Sequence, residues 1–293
     1  MEISGSKARR CPRCGALNGA GFDRCVRCAS PLGALGAGAE VIKASVGFTL
    51  DARQLWGTKV LIGLTAVAFS AQIVTILKGG GSIFSLLSFS SVSTAHILRF
   101  GGMPLSAEDA LAEPFRAMSA VFVHFGALHF LMNMMGLASV GRVVEPALGT
   151  ARFVVAYLVC GVLGFAANIG MDLAFPHSGV TVGITAGASG AVFGAMGLTL
   201  GWLLRMRDRR WRFYAMEMAF YAVVVNFLVR VNNTAHVGGL LVGAALGFYF
   251  AWRPRPRTHL PANVGAVVGL VLAVASLVLA QSASGWGGGP TAP

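Results

Sequence analysis

The chain has 293 residues, 55% of them hydrophobic and 12% charged, with a mean hydropathy of +0.70. Soluble domains carry about twice that charged fraction, so a wholly soluble protein is excluded and most of the chain belongs in lipid. The formal net charge of +12 comes from clustered Lys and Arg; anionic lipid surfaces and membrane topology explain it, and no nucleic-acid partner is expected.

Residues 1–30 hold Cys11-Pro-Arg-Cys14 and Cys25-Val-Arg-Cys28. Two such knuckles can bring four thiolates to one tetrahedral zinc. Gly15 and Gly19 suit the turns, and the segment resembles a short zinc ribbon. Two disulfides or a redox pair are the alternatives. A structural zinc implies a reducing compartment. The first forty residues show no apolar core of secretory-signal length. Residues 31–58 are Gly/Ala-rich, then mixed, and read as a linker.

Apolar runs predict seven membrane spans: Val60–Leu77, Ala117–Val140, Phe153–Leu173, Ala188–Leu204, Phe213–Val229, Thr234–Trp252 and Val264–Leu279. The segment 82–116, broken by Ser and Thr, reads as a long loop lying partly in the interface. Gly141–Arg152 reads as a short turn, 205–212 as a basic hairpin, and the end of the chain as a Gly-rich tail. With the N-terminus inside, all Lys and Arg but Lys78, Arg99, Arg116 and Arg230 fall on inner segments. That bias predicts an integral membrane protein of a bacterial cytoplasmic membrane, N-terminus cytoplasmic and C-terminus outside. The lipid bilayer is its first partner. The basic ribbon is expected to meet anionic lipid or a cytoplasmic protein.

Polar residues inside spans are costly and are candidates for function. Ser189 lies in Gly187-Ala188-Ser189-Gly190, at the expected first turn of the fourth span. Unpaired N–H groups and the positive helix end there favour a developing oxyanion. His236 begins the sixth span and is followed by Gly239, Gly243 and Gly247, one smooth face. Gly190, Gly194, Gly197 and Gly201 give the fourth span a similar face, so the two helices can approach closely. His129 and Asn133 are four apart and share a helix face. His124 lies about 140° from His129 around an ideal helix, so it is expected where the helix is not yet regular. The three are expected to converge as oxyanion donors. No H-E-x-x-H occurs, which argues against a zinc protease.

In these motifs the chain resembles the rhomboid family of intramembrane serine proteases, over roughly residues 58–252. The matched residues are His124-x4-His129-x3-Asn133, the Gly187–Gly190 box, Ala235-His236-x2-Gly239-x3-Gly243, Phe115-Arg116 and Glu145. The resemblance implies an all-α polytopic membrane protein. Its six-helix core (59–252) is followed by a seventh helix and tail (253–293) and preceded by a small cytoplasmic zinc ribbon. It implies an endopeptidase that cuts transmembrane or juxtamembrane segments of membrane proteins, without a catalytic cofactor. Ser189 would be the nucleophile and His236 the general base. The Ser189 N–H, Asn133 and His124 would hold the oxyanion, with His129 in support. Phe193 would stack on His236, and Arg116 and Glu145 would anchor the first loop. A pseudoprotease that binds transmembrane segments without cutting is the alternative; a channel or scaffold is a third reading.

Overall fold

The computed structural model describes residues 9–11, 16–19, 22, 24–27, 32, 55–80, 92–176, 183–228, 232–252 and 260–282. The chain divides into two compact units, Met1–Arg53 and Gln54–Pro293.

In the first unit β1 (Arg9–Arg10) pairs antiparallel with β2 (Leu17–Asn18), Arg9 opposite Asn18. The buried Asn18 side chain donates to the Ala16 carbonyl and accepts from Val26 N–H. It thereby ties the hairpin to the second knuckle. Cys11 and Cys25 are buried together with Leu32. Cys14, Cys28 and most of the linker 31–58 lie outside the described residues.

The second unit is helical. Its long helices are α1 (Trp56–Lys78), α5 (Ala127–Leu148), α6 (Thr150–Ala174), α7 (Ser189–Arg205), α8 (Trp211–Leu228), α9 (Asn233–Trp252) and α10 (Leu260–Ser282). Between α1 and α5 come α2 (Thr94–Arg99), β3 (Met103–Pro104), α3 (Ala107–Ala112), α4 (Arg116–Ser119) and a 3-10 turn, Ala120–Phe122. Among the described residues α1, α5, α6, α9 and α10 are long and apolar enough to cross a membrane. The protein is therefore an integral membrane protein. The helix α7 has 17 residues and is buried along the face carrying Gly190, Phe193, Gly194, Gly197 and Gly201.

Two boundaries differ from the sequence expectation. The span expected from Ala117 begins at Ala127, because 117–126 is spent on α4, the 3-10 turn and an extended segment. Composition cannot separate these, since that stretch is as apolar as a span. The turn expected at 141–152 is helical except at Gly149, whose φ of +86° breaks α5 from α6.

The centre of the fold is the contact of α7 with α9. Gly239, Gly243 and Gly247 rest on the carbonyls of Gly190, Gly194 and Leu198, with no room for a Cβ. In return Gly197 and Gly201 rest on the carbonyls of Leu240 and Ala244. This close approach brings the starts of both helices together. The helix α6 packs on both, α8 on α7, and α10 on α6, α4 and α2.

The loop before α5 is folded, not loose. Arg116, 1% exposed, donates to the carbonyls of Leu98 and Gly102 and pairs with Glu113. Ser106 caps α3, and Asp172 of α6 accepts from Ala107 N–H at 2.7 Å. The strand β3 pairs antiparallel with β4 (Ile184–Thr185), just before Gly187. In the basic hairpin after α7, the Arg210 side chain hydrogen-bonds to Asp208 and holds its carboxyl below the usual carboxylate range.

Candidate active site

Ser189 is the first residue of α7, and the turn that presents it is fixed from three sides. Gly187 has φ +124° and donates to the Ala120 carbonyl at 2.8 Å. Ala188 N–H points to His124 Nε2 at 3.5 Å. Thr185 Oγ1 accepts from Asn232, whose Oδ1 also accepts from Ala235 N–H at the start of α9. Asn232 thus caps α9 and pins it to the strand leading into the Ser189 turn. The result is a Ser189 Oγ to His236 Nε2 separation of 2.7 Å. The Phe193 ring, one helical turn after Ser189, stacks on His236 with centroids 4.4 Å apart and planes 11° off parallel. Both side chains sit at helix N-termini, where backbone N–H groups and the helix dipole favour negative charge.

The three remaining polar residues of the motif have different surroundings. His124 is fully buried in the segment before α5, off the regular helix as expected. Gln72 of α1 grips its backbone twice, donating to His124 O and accepting from His124 N–H, each at 3.2 Å. Its Nδ1 faces the Phe122 carbonyl at 3.4 Å, while Nε2 receives Ala188 N–H. That pattern fits a ring that carries its proton on Nδ1 and accepts at Nε2. His129 is the opposite case. Its Nδ1 accepts from Phe125 N–H, so Nε2 carries the proton. A Cβ built on Gly187 would meet His129 Cε1 at 2.7 Å and Nε2 at 2.9 Å, with Asn133 Nδ2 at 3.9 Å. The side-chain donors beside the Ser189 turn are therefore His129 and Asn133. His124, expected in that place, turns its Nε2 to Ala188 N–H instead.

Arg116 and Glu145 do not meet. Arg116 holds the loop at the end of the molecule that carries Ser189. Glu145, 1% exposed near the end of α5, accepts from Gly57 N–H (2.8 Å), Thr58 N–H (2.9 Å), Thr58 Oγ1 (2.7 Å) and Thr150 Oγ1 (2.6 Å). It clamps the N-termini of α1 and α6 at the opposite end, so it is not an anchor of the first loop.

The Rhomboid domain profile matches residues 111–253. The putative rhomboid protease YdcA of Bacillus subtilis is 32% identical over 143 residues, 47% of this chain and 68% of its own length. The chain belongs to the rhomboid family. Rhomboid protease GluP of B. subtilis is 31% identical over 56% of this chain and 32% of its own length. RHOMBOID-like protein 1 of Arabidopsis thaliana is 31% identical over 56% of this chain and 41% of its own length. The chain thus spans less than half the length of these two relatives. Residues 7–33 match a domain of unknown function (DUF7577). That stretch contains all four N-terminal cysteines. Of these, Cys25 accepts Arg27 N–H at its Sγ (3.4 Å), and Cys11 N–H donates to the Ala16 carbonyl.

Gln72 and Asn232 escaped the reading of the rhomboid sequence. A single Gln inside the run 60–77 was the available signal, since a polar side chain in a span needs a partner. Asn232 gave only the weaker signal of a capping residue before a helix.

Proposed function

We propose that this rhomboid protein is an intramembrane serine endopeptidase that cleaves transmembrane or juxtamembrane segments of other membrane proteins. The observation that carries the reading is the 2.7 Å contact between Ser189 Oγ and His236 Nε2. In the acylation step Ser189 Oγ attacks the peptide carbonyl carbon while His236 Nε2 takes its proton. The Ser189 backbone N–H, His129 Nε2–H and Asn133 Nδ2–H receive the oxyanion. As the intermediate collapses, the C–N bond breaks and His236 returns the proton to the leaving amine. Water, deprotonated by His236, then hydrolyses the acyl ester and frees Ser189.

The stacked Phe193 orients the imidazole, the task a carboxylate performs in a triad. Stacking adds no charge to stabilise the imidazolium, so turnover is slow. The charge asymmetry supports a topology with the ribbon and the 205–212 hairpin cytoplasmic and Ser189 toward the outer face. For the ribbon we propose one structural zinc held by Cys11, Cys14, Cys25 and Cys28. Two buried cysteines and a backbone N–H aimed at Cys25 Sγ support that donor set. Zinc there supplies a fold to a segment too small to have a core, and takes no part in peptide cleavage.

The test is labelling of purified protein by a fluorophosphonate or isocoumarin, together with cleavage of a panel of transmembrane peptides in detergent. Both are expected in the wild type and absent in Ser189→Ala and His236→Ala of normal melting temperature. Peptide binding without labelling or cleavage would instead make the protein a pseudoprotease.

A further inference from the structure

Away from Ser189, a cavity of about 360 Å³ lies between α1 and α10. Its walls are apolar, with Leu64, Val67 and Ala71 on α1 and Val274 and Val278 on α10. Its floor is Phe100 and Val123, which are 6% and 1% exposed. Polar groups gather at one end only, where Thr75 and Gln281 line it. Gln281 Nε2 donates to the Arg99 carbonyl, which brings α2 to that rim. Lys78 lies one helical turn beyond Thr75. Lys78 and Arg99 are exposed, and neither makes an ion pair among the described residues. They are also two of the four basic residues that the inside-positive pattern leaves over.

We infer that this groove is a phospholipid site, holding one acyl chain between α1 and α10 and an anionic headgroup at Lys78 and Arg99. Both walls are membrane-crossing helices, so acyl chains are the medium in which the groove opens. The two cations are the last residues of α1 and α2, and their charge matches a negative headgroup. A substrate peptide is a poor fit. The closed floor of Phe100 and Val123, with the Gln72–His124 clamp behind it, separates the groove from Ser189.

The experiment is native mass spectrometry of the delipidated full-length protein in detergent, titrated with dioleoyl phosphatidylglycerol or dioleoyl phosphatidylcholine. One phosphatidylglycerol is expected to bind saturably and more tightly than phosphatidylcholine. Neutralising the rim with Lys78→Gln and Arg99→Gln should weaken it about fivefold per cation removed. Ala71→Trp, which fills the groove from an exposed position without entering the core, should abolish the saturable site. Equal affinity for the two lipids, or phosphatidylglycerol binding unaltered in Ala71→Trp, overturns the inference. So does a dimer of the wild type that Ala71→Trp dissociates, since the occupant would then be a second copy of the chain.

Discussion

Replacing Glu145 by Ala should destabilise the protein while leaving the chemistry at Ser189 alone. Its carboxylate accepts four hydrogen bonds in a site 1% exposed. Two of the donors are hydroxyls, and a Thr hydroxyl can rotate to another acceptor. The other two are the N–H groups of Gly57 and Thr58, in the first turn of α1, where no helical carbonyl is available. Leaving a buried donor unsatisfied costs about 1–3 kcal/mol, so the pair sets a loss of roughly 2–6 kcal/mol. Gln at 145 keeps one accepting oxygen but turns an NH₂ toward donors, so it should recover only part of the loss. The assay is thermal unfolding in detergent, with fluorophosphonate labelling measured well below the new midpoint. A large drop in melting temperature with normal labelling is expected, because the clamp and Ser189 are at opposite ends of the helices. Normal melting with no labelling would refute the argument, since the carboxylate would then be acting on the site.

His129→Ala and Asn133→Ala should each slow acylation by on the order of 10²–10³ with a small change in melting. His124→Ala should lower both, because its ring holds the Ser189 turn; a rate loss confined to His124→Ala, with His129→Ala active, would reverse the assignment. Gly243→Val sets a side chain against the Gly194 carbonyl, so peptide cleavage and thermal stability should fall together, and unchanged values of both would show that the helices tolerate separation. The full-length protein should contain one zinc per chain by elemental analysis, and a chain lacking residues 1–40 should contain none yet cleave a model peptide nearly as fast. Most of the activity lost on truncation would tie the ribbon to the catalytic unit.

What the sequence revealed and what it hid divide along a physical line. Apolar runs of near-membrane length exposed the long helices, because lipid demands that length and that composition. The glycine faces of α7 and α9 were visible for a similar reason: spacing by four marks a helix side, and only close packing uses one stripped of side chains. Ser189 and His236 could be brought together on that basis, while the place of Phe193 on the imidazole came from the family resemblance. The start of α5 could not be found, since 117–126 has the composition of a span and its backbone is instead turned by α4 and the 3-10 turn. The roles of His124 and His129 were hidden more deeply. Ring direction on a helix says which side chains share a face, but which nitrogen holds the proton depends on distant partners. His124 is committed by Ala188, 64 positions away, and by Phe122; His129 is committed by Phe125. Glu145 was misread for the same reason, its partners at 57 and 58 lying 87 or 88 positions back. A side chain's spacing therefore predicts where it stands, while its chemistry is settled by the hydrogen bonds it has already made. For His124 and His129 that difference bears on which ring nitrogen holds the proton.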